Sequence, residues 1–81
     1  MHLEILTPEK KIFEGEVTIA TFPGADGSFQ VMDNHAPLIS LLKEGPVEYK
    51  GKVLKQGLKI SGGVVEVLHN KVILLADKVI D

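Results

Sequence analysis

Glycine and proline interrupt the first 63 residues of this 81-residue chain so often that no helical window of useful length remains. The last 18 residues contain neither, but seven of them are Val or Ile, which favours strands. At about 8–12 residues for a strand with its turn, the chain has room for about seven to ten short strands. That many strands avoid open edges by forming a sandwich or a barrel. The sequence therefore predicts one all-β domain over residues 1–81, a two-sheet β-sandwich or flattened barrel.

The stretch from Pro23 to Leu38 combines turns, one short strand and a loop. Two turn dipeptides open it, and an alternating run follows with Phe29 and Val31 on one face. The polar residues 33–37 end in proline, which predicts a surface loop that continues extended into the next strand. Because loops on a rigid scaffold often carry contacts to partners, we expect this stretch to bind one.

The clearest alternation in the chain runs from Glu16 to Phe22. It predicts a strand whose inward face is β-branched and consists of Val17, Ile19 and Thr21. The strand is expected to end at Pro23. The choice of inward face follows from packing preference alone, so the structure can test it directly.

Two further turns are predicted in the second half of the chain. The first hairpin is expected to place Val47 and Tyr49 opposite Val53 and Leu54. Gly51 would supply the positive φ of its turn. The pair Gly62-Gly63 indicates a bulge or a close approach of two backbones, and residues 69–71 indicate a second hairpin.

The composition narrows the class of protein. There is no cysteine, which excludes a disulfide framework and thiolate metal sites and makes a reducing compartment the expected location. The net charge is −2, and all nine basic residues are lysine, so the usual bidentate reader of phosphates and guanines is missing. We therefore expect no nucleic-acid binding. The N-terminus lacks the pattern of a signal peptide, and no apolar run is long enough to span a bilayer.

A catalytic interpretation finds little support in the sequence. The three histidines are 33 and 34 residues apart, a spacing that does not make half a metal site. The residues around Ser61 only superficially resemble a nucleophile elbow, because a lysine replaces the first glycine and no helix follows. We expect no catalytic residue, no cofactor and no metal site.

Two runs, Leu38–Leu42 and Val72–Ala76, are apolar on both faces of their predicted strands. A sheet in a two-layer sandwich usually leaves one face in water, so its strands should alternate. Loops of the same chain, or closure of a barrel, could cover the extra apolar face. Another protein could also cover it. We favour the second explanation, since 81 residues leave little spare chain for the covering.

Several short motifs occur in an order that resembles the N-terminal β-sandwich domain of the epsilon subunit of bacterial F-type ATP synthase, the delta subunit of mitochondria. The resemblance covers nearly the whole chain. The most specific motifs are Asn34-His35-Ala36-Pro37-Leu38 and Ser61-Gly62-Gly63-Val64-Val65-Glu66-Val67, supported by Leu3-Glu4-Ile5-Leu6-Thr7-Pro8-Glu9-Lys10, Phe13-Glu14-Gly15-Glu16-Val17, Pro23-Gly24, Gly27-Ser28-Phe29 and Leu75-Ala76-Asp77.

The resemblance implies a non-catalytic rotor part of the central stalk, peripheral to the cytoplasmic face of the bacterial inner membrane. It would link the gamma subunit to the polar loops of the membrane c-ring during proton-driven ATP synthesis. The residues implied at the gamma subunit are His35, Ala36, Pro37, Leu38, Ser40 and Val64. Those implied at the c-ring are Asp26, Gly27, Ser28, Phe29, Gln30, Val31 and Met32.

Two points stay open at this stage. Members of the family usually continue into a C-terminal helical hairpin, whereas this sequence ends at Asp81, where that hairpin would begin. If the sequence is complete, restraint of ATP hydrolysis and nucleotide sensing should be missing; if it is a piece, nothing follows about regulation. The alternative function is a freestanding small β-barrel that binds a peptide or a carbohydrate. Its aromatic content, three Phe and one Tyr, argues against that alternative.

Overall fold

The computed structural model describes residues 1–80, and every regular element within them is a β-strand. In chain order the strands are β1 His2–Leu6, β2 Lys11–Glu16, β3 Ile19–Gly24, β4 Gly27–Met32, β5 Leu38–Leu42, β6 Gly45–Lys50, β7 Lys55–Ile60, β8 Gly63–Leu68 and β9 Lys71–Ala76. The predicted all-β class is confirmed, and the nine strands of the described residues fall within the expected number. No helix in this part of the chain is able to cross a membrane.

The strands form a curled sheet in the order β2-β1-β9-β8-β5-β3-β6-β7, with β4 paired to β3. The curl divides the sheet into a five-stranded layer, β2-β1-β9-β8-β5, and a four-stranded layer, β4-β3-β6-β7. A single register pair, Gly24 with Leu42, joins β3 to β5 at the boundary. Only β1 and β9 pair in parallel. This arrangement agrees with the predicted sandwich or flattened barrel.

The core lies between the two layers and is entirely apolar among the described residues. Phe22 is its largest fully buried side chain, and burial of one such ring contributes about 2–3 kcal/mol to folding. The rings of Phe13 and Tyr49, from β2 and β6, lie 4.6 Å apart and connect the two layers. The radius of gyration is 11.2 Å, as expected for a close-packed chain of this length.

The predicted faces of the strand after Glu16 are wrong. Ala20 and Phe22 are fully buried, whereas Ile19 and Thr21 point outward and are half-buried. The reason is a break between β2 and β3, where the Thr18 N–H donates to the Lys50 carbonyl oxygen at 2.8 Å. A break that shifts the alternation by one position exchanges the two faces of everything that follows. Val17 is buried as predicted, but it lies within this break.

The end predicted for this strand at Pro23 is also wrong, since β3 continues to Gly24. The Pro23 carbonyl oxygen accepts a hydrogen bond from the Lys43 N–H at 2.9 Å. Proline lacks only the donor of a backbone hydrogen bond, so it can still bind a neighbouring segment through its carbonyl group. The bond holds the end of β3 beside the end of β5.

The register predicted for the first hairpin is wrong as well. Val47 pairs with Leu58, and Tyr49 pairs with Gln56, so residues 51–54 form the loop. This four-residue loop is closed by the Gly51 N–H, which donates to the Leu54 carbonyl oxygen at 2.9 Å. Gly51 is not one of the described glycines with positive φ. Glycine fits there because a Cβ would lie 3.0 Å from the carbonyl oxygen of Glu16.

The predictions for the last third of the chain are confirmed. A Cβ on Gly63 would overlap the carbonyl oxygen of Leu75 on β9, which is the close backbone approach that the paired glycines indicate. The turn between β8 and β9 has positive φ at both central residues, 52° at His69 and 59° at Asn70. Two such residues form the tight turn whose twist matches paired antiparallel strands.

Candidate interaction surfaces

The outer side of the five-stranded layer carries a group of exposed hydrophobic side chains on β5, β8 and β9. Ile39 and Leu41 of β5 are 71% and 70% exposed, and Leu75 of β9 is 49% exposed. Val64 of β8 lies between Leu41 and Leu75 in the register. We call Ile39, Leu41, Val64, Ile73 and Leu75 the apolar face. Loops of the described chain leave it uncovered, which excludes the first explanation of the apolar surplus for β5.

The apolar face has a defined shape and a polar boundary. A row of Leu41, Val64 and Leu75 continues through the register to Leu6 on β1. A groove of about 540 Å³ follows this row. In the next row Glu66 lies between Ile39 and Ile73 in the register. An apolar strip beside carboxylates is typical of a protein interface, where a hydrophobic centre has a polar rim.

The hairpin of β3 and β4 is joined to β5 through the backbone. At its tip, the Ala25 N–H donates to the Leu41 carbonyl oxygen at 2.9 Å. The second bond is the one from Lys43 to the Pro23 carbonyl oxygen. A hollow of about 520 Å³ lies between the tip and residues 39–41 of β5. The hairpin tip and the apolar face are therefore parts of one continuous surface.

The residues implied at the gamma subunit lie on different sides of β5. His35, Ala36 and Pro37 form an exposed loop before β5. Leu38 and Ser40 alternate with the outward residues; both are half-buried, and Leu38 packs against the core. Val64 belongs to the apolar face. The implied set therefore omits Ile39 and Leu41, the two most exposed side chains of β5, although alternation from a buried Leu42 would have placed them outward.

The residues implied at the c-ring also divide by the alternation of β4. Asp26, Gly27, Ser28, Gln30 and Met32 are exposed. Val31 is fully buried. Phe29 is half-buried, and its ring lies 5.8 Å from that of Phe22 in the core. These two side chains attach the hairpin to the body of the domain, while the exposed ones are available to a partner.

The loop of residues 33–37 is anchored at its beginning by two contacts. The Met1 amino group donates to a carboxylate oxygen of Asp33 at 2.6 Å and to the Val17 carbonyl oxygen at 3.0 Å. The bond to Asp33 raises the pKa of this amino group above its ordinary value of 8.0. The Asn34 N–H donates to the side-chain oxygen of Asn70 at 2.8 Å. These contacts fix the position of His35–Pro37 relative to β8 and β9.

Strand pairing gathers a group of charged side chains on β1 and β2 that the sequence analysis missed. Because Glu4 pairs with Glu14 in the register, His2, Glu4 and Glu14 bring possible ligand atoms within 4.8 Å of one another. The Lys11 ammonium group already binds both carboxylates. The hydrogen bond to Lys11 lowers the pKa of the Glu14 carboxyl, and the same bond raises the pKa of Lys11. The group is a satisfied salt-bridge network.

The sequence was compared with known protein families. The model of the family "ATP synthase, Delta/Epsilon chain, beta-sandwich domain" matches residues 1–81. The chain belongs to this family. The resemblance that the motifs of the sequence indicate is thereby confirmed.

The relatives of this delta/epsilon domain are ATP synthase epsilon chains. The chain is 46% identical over 78 residues to that of Chlorobium limicola, covering 95% of this chain and 89% of the relative. It is 35% identical over 81 residues to that of Caulobacter vibrioides, covering 100% and 94%. It is 42% identical over 78 residues to that of Campylobacter concisus, covering 95% of this chain and only 60% of the relative. Its relatives thus include chains of similar length and much longer ones.

Solved structures show the same fold. A chain from the central stalk and c-ring of the Tetrahymena thermophila mitochondrial ATP synthase superposes with a TM-score of 0.83 at 19% identity, covering 99% of this chain and 65% of that one. A chain of the Euglena gracilis mitochondrial ATP synthase gives 0.88 at 22% identity, covering 96% and 51%. Epsilon chains are stalk subunits of ATP synthase and are not catalytic.

Proposed function

We propose that this domain works in the central stalk of an F-type ATP synthase, where it links the gamma subunit to the c-ring during proton-driven ATP synthesis. The apolar face carries the proposal, because it is exposed in a domain whose family consists of stalk subunits. The domain needs no reactive group for this role. It needs a broad contact and a stiff body, and close packing of short strands supplies the stiffness.

The gamma subunit is the proposed partner of the apolar face and of the adjoining loop of His35, Ala36 and Pro37. A specific interface buries about 1,000 Å² or more in total, counted over both partners. The domain measures 26 × 25 × 19 Å, so one broad side is large enough. Ile39 and Leu41 lie near the start of this surface and are the best candidates for the side chains that contribute most to binding.

The c-ring is the proposed partner of the β3–β4 hairpin through its exposed residues. These are Asp26, Gly27, Ser28, Gln30 and Met32. Two backbone hydrogen bonds connect the hairpin to the end of β5, so a load on the tip is passed directly to the strand that carries the apolar face. This connection explains how a small domain can couple two partners. The proposed location is the cytoplasmic face of the bacterial inner membrane, peripheral to the bilayer.

Co-expression with a gamma subunit, followed by size-exclusion chromatography, tests the proposal. We expect the unmodified domain to elute with gamma. Ala36→Glu places a charge at the exposed loop and should weaken co-elution while the circular dichroism spectrum stays unchanged. Val53→Glu is the matched control, because Val53 is 99% exposed in the distant β6–β7 loop. Failure of the unmodified domain to co-elute, or equal behaviour of the two variants, would contradict the assignment.

A further inference from the structure

The outer side of the four-stranded layer differs from the apolar face and holds a polar cavity of about 420 Å³. We call its lining residues Thr21, Gln30, Glu48, Lys50, Lys55 and Gly57 the polar face. They come from four adjacent strands, β4, β3, β6 and β7. This volume lies within the range of about 300–1,000 Å³ that is typical of small-molecule sites.

Two lysines at one end of the cavity lie side by side. Lys50 and Lys55 are directly paired across β6 and β7. Like charges in directly opposed positions destabilise a sheet. Within residues 1–80 neither ammonium group forms a salt bridge, whereas Lys11 and Lys59 do. A bound dianion would relieve this repulsion, and lysine ammonium groups bind phosphate oxygens as point charges.

The next row of the register offers neutral and acidic hydrogen-bonding groups. Gln30, Thr21, Glu48 and Gly57 follow one another across the four strands. Gly57 has no side chain to fill the space beside Glu48, so the end of the row stays open. An amide, a hydroxyl and a carboxylate can together bind the hydroxyl groups of a ligand, and the carboxylate requires a donor rather than a second anion.

We propose that the polar face binds a small soluble phosphate monoester that carries hydroxyl groups. The phosphate lies between the ammonium groups of Lys50 and Lys55, and the hydroxyl groups contact Thr21, Gln30 and Glu48. The ligand occupies the layer opposite to the apolar face, so its binding leaves the gamma contact free. The inference therefore stands or falls independently of the proposed stalk function.

The test is a titration of the full 81-residue chain, followed by its amide NMR spectrum. The probes are glycerol phosphate, inorganic phosphate and glycerol. We expect saturable shifts at Thr21 and Gly57 with glycerol phosphate, weaker binding of inorganic phosphate and none of glycerol. Lys50→Gln and Lys55→Gln should each weaken the binding about tenfold, since each removes one charge-assisted hydrogen bond. Lys52→Gln, a loop lysine outside the cavity, removes the same charge and should leave the affinity unchanged.

The opposite results are equally clear. Shifts that do not saturate, that appear at lysines all over the domain, or that persist in the Lys50→Gln and Lys55→Gln variants would show non-specific ion binding and overturn the proposal. Binding to phosphatidylglycerol vesicles without binding to glycerol phosphate would overturn it as well, because the phosphate would then be read on a membrane. The two variants lie on an exposed surface, so an unchanged spectrum in the absence of ligand verifies their fold.

Discussion

The apolar face and the polar face are the outer sides of two layers that share one core, yet they differ in almost every outward residue. The strands of both faces alternate inward hydrophobic residues such as Val65 and Val47, both fully buried. Outward, one layer shows Leu41 at 70% exposure, and the other shows lysine and glutamate. Because the inward residues already supply the core, the fold alone does not require Ile39 or Leu41 to be hydrophobic.

The comparison separates what folding needs from what association needs. Burying the side chain of an exposed leucine contributes about 1.5–3 kcal/mol, a gain that the isolated domain does not obtain at Leu41. The polar face has no such gain to obtain from an apolar partner, because its lysines would lose water on contact with one. The two faces should therefore respond differently to the same kind of substitution.

The largest expected difference in stability is between two glycines, one in each layer. Gly63→Ala should lower the free energy of unfolding by about 3 kcal/mol, because φ is 156° and the new Cβ would overlap the Leu75 carbonyl oxygen. Gly57→Ala should change it by less than about 1 kcal/mol, since the nearest atom would lie at 3.4 Å. Urea unfolding of both variants measures the difference. Equal losses would mean that the β8–β9 contact is looser than described.

A medium effect is expected at the turn that supports the edge of the apolar face. Asn70→Ala should lower the free energy of unfolding by about 1–2 kcal/mol, because it removes the acceptor for the Asn34 N–H and strains a residue with φ of 59°. Asn70→Gly keeps the backbone relaxed and loses only the hydrogen bond. Thermal unfolding should therefore rank the unmodified domain above Asn70→Gly, and Asn70→Gly above Asn70→Ala. If the two variants were equal, the turn conformation would carry no strain.

A smaller effect should depend on pH. The pKa of the Met1 amino group is raised in the folded state, so its stabilising contribution is complete below its ordinary pKa of 8.0 and is lost as the pH rises through the raised value. Urea unfolding between about pH 7 and about pH 9.5 should therefore show falling stability. The scan stops there because burial raises the pKa of Tyr49 above 10.0. Asp33→Asn should flatten the slope, and an unchanged slope would assign it to other groups.

The smallest change in stability is expected on the apolar face itself. The double variant Ile39→Ser, Leu41→Ser should alter the free energy of unfolding of the isolated domain by no more than about 0.5 kcal/mol, because both side chains are exposed. The variant should also bind less of a dye that reports exposed hydrophobic surface. Matched measurements with Thr21→Ser on the polar face provide the control. A large loss of stability in the double variant would show that the face packs within the domain.

The sequence predicts the class of fold well because punctuation by glycine and proline, together with runs of Val and Ile, leaves few alternatives to short strands. The faces of β3 could not be predicted, since the break at Thr18 depends on a hydrogen bond to Lys50 that is remote in sequence. The β6–β7 loop was misplaced because Gly51 avoids Glu16, again a contact between distant segments. Such contacts leave no local pattern in the sequence.

The same distinction holds for the candidate surfaces. The apolar surplus of residues 38–42 is visible in the sequence, and the exposure of Ile39 and Leu41 agrees with it. Pairing between strands is not visible, so the row from Leu41 through Val64 to Leu75 appears only in the structure. The opposed lysines Lys50 and Lys55 were missed for the same reason, because the register of their hairpin was predicted incorrectly.

The affinity of a gamma subunit for two matched glutamate variants tests the central claim most directly. Isothermal titration of Leu41→Glu should show binding weakened about a hundredfold, because a charge would be buried at the centre of the contact. Thr21→Glu, the same new charge on the polar face, should bind like the unmodified domain. Full affinity of Leu41→Glu, or equal losses in both variants, would contradict the claim that the apolar face is the surface a larger partner covers.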